Sequence, residues 1–82
     1  MDIVEKYMES AREFALLYGV TSPHIINIIS SVMMTRDDVG YPGGGFVEAV
    51  VTNNLYLAIL RADTECYNNL KVIVASVDNY VK

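Results

Sequence analysis

The residues able to do chemistry in this chain are few, and none stands in a recognised catalytic spacing. Cys66 and His24 are each the only residue of their kind. One cysteine excludes an internal disulfide and any thiolate zinc site. Cys66 falls among apolar helical positions and reads as a small core residue rather than a nucleophile. A Cys66–His24 pair is conceivable, but nothing in the spacing supports one. Asp37 and Asp38 with Glu48 match no calcium-loop spacing and read as surface carboxylates. Ser10, Ser30 and Ser31 have no base in any readable motif. Without a nucleophile–base pair, a carboxylate pair or a metal cluster, the expectation is a protein that is not an enzyme and carries no metal or cofactor.

Two segments remain as candidates for binding. Gly43, Gly44 and Gly45 follow Tyr41-Pro42 and lead into a helix starting near Phe46. Glycines at a helix start leave backbone N–H groups free to hold an anion, such as phosphate, a nucleotide or a partner's carboxylate. This is neither a phosphate-binding loop with G-K-[ST] nor G-x-G-x-x-G after a strand. The alternative is a flexible connector with a glycine cap. Tyr41, beside the glycines, is expected to be exposed and used, and most of the six tyrosines to lie half-buried at the core boundary. Further on, Asn53 and Asn54 interrupt an apolar helix, and asparagine is a poor helix former. Asn54 and Arg61 are seven residues apart, two turns along one face. With Asp63 they form either a recognition patch or a hydrogen-bond network fixing the helices, with Arg61 pairing Asp63 or a carbonyl at a helix end.

The elements that must position these residues read as four helices. The first runs from Ile3 to about Tyr18, capped by Asp2 with Glu5 three residues on, and stopped by Gly19. Its apolar stripe is Val4, Tyr7, Met8, Ala11, Phe14, Ala15 and Tyr18. Ser22-Pro23 opens the second, which is apolar nearly all round from Ile25 to Met34 and closes on the polar turn Arg36-Asp37-Asp38 before Gly40. The third runs from about Phe46 to Arg61, with Phe46, Val47, Val50, Val51, Leu55, Ala58 and Ile59 as core candidates. Asp63 or Thr64 caps the fourth, whose stripe is Cys66, Tyr67, Leu70, Ile73, Val74, Val77 and Val81. The expected fold is therefore all-α: a small four-helix domain, a single unit over residues 1–82, with the last two helices as a C-terminal antiparallel hairpin.

Composition sets the outer limits. The chain is 82 residues long, 52% hydrophobic, with net charge −4. A short chain has little interior for so much apolar surface, and a second helix apolar on every side needs neighbours all round, so a homo-oligomer is expected. Six basic residues, spread without a cluster, offer no stripe for direct nucleic-acid binding or for an anionic membrane. The apolar run from Phe46 to Leu60 is shorter than the roughly 20 residues a membrane span needs. With no signal peptide read at the start, the expected location is cytoplasmic.

The second half of the chain carries Pro42-Gly43-Gly44-Gly45-Phe46-Val47-Glu48-Ala49-Val50-Val51-Thr52-Asn53-Asn54-Leu55, then Arg61-Ala62-Asp63, then an apolar helix ending near Asn79-Tyr80. This resembles a family of short bacteriophage-encoded proteins of unassigned function that read P-G-G-F-L-x-A-V-L-x-N-D-L, then R-A-D. Here there is one extra glycine, and Asn54 stands where the family has aspartate. The resemblance implies a phage accessory protein acting in the host cytoplasm. The leading expectation is an inhibitor that binds a host or anti-phage defence protein. The alternatives are an oligomeric sponge for a small anionic nucleotide at the glycine loop, and a structural or regulatory virion component.

Overall fold

The computed structural model describes residues 2–81. Its elements are α1 (Ile3–Leu17), α2 (Pro23–Asp37), α3 (Gly45–Val51), α4 (Leu55–Arg61), α5 (Thr64–Asn68), α6 (Leu70–Ala75) and a closing 3-10 turn (Ser76–Asp78). No strand occurs among the described residues, so the all-α expectation is met.

The first two helices start and stop where local chemistry dictates. The Asp2 carboxylate accepts the Glu5 N–H at 2.8 Å, filling one of the bonding vacancies of a helix start. At the other end Gly19 takes a positive φ of 72°, and the N–H groups of Gly19 and Val20 return to the carbonyls of Leu16 and Ala15. That pair of bonds is a Schellman closure, which glycine enters without a Cβ penalty. Ser22 caps α2 and Pro23 occupies its first position, where a missing N–H costs nothing.

Helix α2 is the centre of the molecule. Ile25, Ile29, Val32, Met33 and Met34 are buried along it, and α1, α3, α6 and the 3-10 turn all pack on it. The neighbours demanded by its all-round apolar surface come from the same chain. The apolar character of α2 therefore gives no reason for a second copy.

The third and fourth predicted segments each divide, giving six helices where four were expected. Asn53 ends α3 in the left-handed region at φ 59°. Its N–H and that of Asn54 return to the carbonyls of Val50 and Ala49, a second Schellman closure, here built on asparagine, the side chain that best tolerates this conformation after glycine. Asn54 then caps α4 at once, its side-chain oxygen accepting the Leu57 N–H at 3.1 Å. The chain reverses at this point. Arg61, the last residue of α4, donates to the carbonyl of Gly45, the first of α3, at 3.3 Å. The antiparallel hairpin is thus α3 with α4, one element earlier than the predicted one. The break in the fourth segment is slighter, with Asn69 alone separating α5 from α6.

These breaks change which apolar residues are inside. Leu55, Ile59, Tyr67 and Val74, expected in the core, are exposed, as are Val4 and Tyr18 on α1.

A polar clamp locks α2 to the end of the described chain. The Arg36 guanidinium donates to the carbonyls of Val77 at 2.9 Å and Asn79 at 2.7 Å, and more weakly to that of Ser76. Its other nitrogens grip both oxygens of Asp37, and the Tyr80 ring lies 4.7 Å from its central carbon. The Tyr7 hydroxyl of α1 donates to the same Asp37 carboxylate at 2.6 Å. The donors from Arg36, and then Tyr7, hold the Asp37 carboxyl below the usual carboxylate range, and the bond to Asp37 raises the Tyr7 hydroxyl.

Candidate functional site

The three glycines of the run stand in different surroundings. The Gly43 N–H donates to the Thr35 hydroxyl at 2.8 Å, pinning the loop to α2. A Cβ at Gly43 would sit 2.6 Å from Val47 Cβ and 3.0 Å from the Ser31 hydroxyl, so packing requires glycine there. A Cβ at Gly45 would press on the Arg61 side chain at 3.3 Å. Gly44 meets nothing within 4 Å and takes an extended conformation open to any residue. It is the N-cap of α3 yet has no side chain with which to cap. Gly44→Ser is expected to stabilise the fold by about 0.5–1 kcal/mol, read as a rise of a few degrees in thermal melts.

This geometry corrects part of the expected site. Gly43 is committed to packing against Val47. Phe46 is buried in the core and offers no partner surface. The helix start expected to receive an anion is only seven residues from its own end and carries the Arg61 side chain against Gly45. Tyr41 is exposed as expected, but so are Tyr18, Tyr56, Tyr67 and Tyr80, leaving Tyr7 as the buried tyrosine.

Among the described residues no hydrogen bond or ion pair joins Asn53, Asn54, Arg61 and Asp63 to one another, and each has a local role of its own. Asn53 makes the turn, Asn54 caps α4, Arg61 ties the far end of α4 to the Gly45 carbonyl, and Asp63 caps α5. Of the two structural partners foreseen for Arg61, the carbonyl is the one found. Asparagine and aspartate cap equally well. Asn54→Asp should leave stability within about 0.5 kcal/mol of wild type, whereas Asn54→Ala should cost about 1 kcal/mol in urea unfolding.

Spacing along the sequence missed two features. The first is α4 itself. Leu55, Tyr56 and Leu60 are 61%, 72% and 63% exposed, Ile59 is exposed beside them, and Ala58 is the helix's one buried residue. Positions 55 and 59, and 56 and 60, are one turn apart, so the four side chains share a continuous apolar surface.

The second is a meeting of His24, Asp63 and Cys66. His24 lies in the first turn of α2, and Asp63 and Cys66 in the start of α5. His24 Nε2 stands 2.8 Å from Asp63 Oδ2 and 3.7 Å from Cys66 Sγ. Asp63 Oδ1 is fixed by the Cys66 N–H at 2.7 Å, and a neighbouring bond from the Ser22 hydroxyl to Glu65 at 2.7 Å joins the same two segments. The Cys66 N–H, and then His24, hold the Asp63 carboxyl low. Burial, and then the adjacent Asp63, push the Cys66 thiol up to about 12. A thiol so far above neutrality is protonated and a weak nucleophile. A relay also needs the base to take the thiol on one ring nitrogen and its orienting carboxylate on the other. Here both groups address Nε2.

Among the described residues no helix is long and apolar enough to cross a membrane. No protein-family model, no curated protein and no solved structure matches the chain.

Proposed function

We infer that this chain is a non-enzymatic binding protein that docks a partner protein on the exposed face of α4. The carrying observation is that a seven-residue helix leaves Leu55, Tyr56, Ile59 and Leu60 in water. Burying one such side chain is worth about 1.5–3 kcal/mol, so four left in solvent on one short helix are a large unused source of affinity. Contiguous apolar patches on small proteins mark interaction sites, and tyrosine is enriched among residues that dominate binding. The resemblance to phage proteins supports a host or defence component as the partner, with inhibition by occupation of its surface.

Replacing Tyr56 with a photo-crosslinking phenylalanine derivative tests the reading in host cells. A single covalent adduct with one host protein is expected at position 56, absent when the same group is placed at Glu13 on α1, and lost when Leu60→Asp is added. No adduct at position 56, or equal capture from both positions, would overturn it. An adduct of twice the chain's mass would show that the face is instead covered by a second copy.

A further inference from the structure

We propose that His24, Asp63 and Cys66 form a binding site for a zinc-like divalent cation, independent of the α4 face. The three side chains bring three different donor atoms, a ring nitrogen, a carboxylate oxygen and a sulfur, all within 4.8 Å of one another. They are, among the described residues, the one group of three or more potential ligands that converges. Exclusion of a thiolate zinc site from the cysteine count does not hold, because one thiolate, one imidazole and one carboxylate form a full three-ligand set.

The convergence on a single nitrogen carries the case. A neutral imidazole nitrogen has either one proton or one lone pair to offer, and so cannot bond strongly with two neighbours. Asp63 Oδ2 and Cys66 Sγ both approach Nε2. A cation placed among the three atoms would let each donate a lone pair. Bond lengths of roughly 2.0–2.3 Å put the ligand atoms of a tetrahedral zinc roughly 3.3–3.6 Å apart. The Nε2–Sγ distance of 3.7 Å needs to shorten by only about 0.1 Å, and Asp63 Oδ2, at 2.8 Å, must retreat by about half an ångström.

The surroundings suit the same purpose. The Cys66 N–H holds Asp63 Oδ1 and so presents Oδ2 toward His24, as supporting hydrogen bonds orient ligands in metal sites. The His24 and Asp63 side chains are 45% and 57% exposed, which leaves the fourth position to water. A thiolate–imidazole pair selects zinc, cobalt and their neighbours over magnesium and calcium. On binding, the Cys66 S–H bond breaks, its proton goes to solvent, and the sulfur electron pair forms the bond to the cation.

Cobalt(II) titration of the purified chain tests the site. The expected result is a thiolate-to-cobalt charge-transfer band saturating at one equivalent, abolished by zinc and unaffected by magnesium. Cys66→Ser should remove the band. His24→Ala and Asp63→Asn should each weaken cobalt and zinc binding by at least about tenfold. Asparagine keeps the capping oxygen of Asp63, so helix α5 persists in that variant, and circular dichroism confirms the fold of each. Absence of the band in excess cobalt, or wild-type binding in His24→Ala, would overturn the proposal.

Discussion

Arg36→Ala will lower the stability of the fold by about 3 kcal/mol, which in a domain of this size is roughly 12–24 °C in Tm. One guanidinium satisfies carbonyls of Val77 and Asn79, neutralises Asp37 and lies under Tyr80. Its removal strands the carbonyls and leaves the Asp37 carboxylate with the Tyr7 hydroxyl as its remaining side-chain partner. Arg36→Lys will recover only part of the loss, because an ammonium cannot span acceptors on both sides as a planar fork does. The clamp also contributes to the acid limb of stability. The folded pKa of Asp37 lies below its unfolded value, so its contribution is complete above the ordinary carboxylate range and fades as pH falls through the lower folded value. Urea unfolding at about pH 7 and about pH 3 should show a steeper acid loss in wild type than in Asp37→Asn. An Arg36→Ala protein within about 1 kcal/mol of wild type would refute the clamp.

Gly43→Ala will cost about 1–3 kcal/mol, the usual penalty for forcing a carbon into filled space. The new Cβ would meet Val47 on α3 and Ser31 on α2, so the loop and both helices would have to part. The neighbouring substitution Gly44→Ala enters open space and should stay within about 0.5 kcal/mol of wild type. The two adjacent glycines thus separate a packing requirement from a mere absence of side chain. Combining Gly43→Ala with Val47→Ala should cost less than the sum of the two, because the shortened neighbour relieves part of the overlap. Strict additivity in urea unfolding would show that the crowding lies elsewhere.

Legibility in the sequence followed the range of the interactions. Asp2, Gly19 and Ser22-Pro23 act on groups within about one helical turn, and each marked its helix end correctly. Asn53 and Asn54 were visible as an interruption, yet their combined meaning, a left-handed stop followed at once by a cap, depends on backbone angles that residue type only biases. The reversal at Asn53-Asn54 places the hairpin between α3 and α4 and leaves Leu55 and Ile59 facing outward. Arg36 read as an ordinary polar end to α2, because the carbonyls it binds are 41 and 43 residues away. His24 and Cys66 are separated by 42 residues and meet only because α5 settles against the start of α2. The Asp63-x-x-Cys66 spacing did place carboxylate and thiol in one helical turn, and was the available hint.

The exposed face of α4 also bears on how the molecule breathes. Seven residues are fewer than an isolated helix needs to persist in water, and α4 anchors itself in the core through the buried Ala58 and the partly buried Leu57 beside it. Its opening therefore sacrifices little apolar contact, and its amide hydrogens should exchange with deuterium faster than those of α2, whose release requires unfolding of the whole domain. A surface held this loosely can adjust its backbone to the contour of what it meets. The cost is that part of the binding energy is spent on ordering it, and amide protection in α4 should rise on capture of the partner.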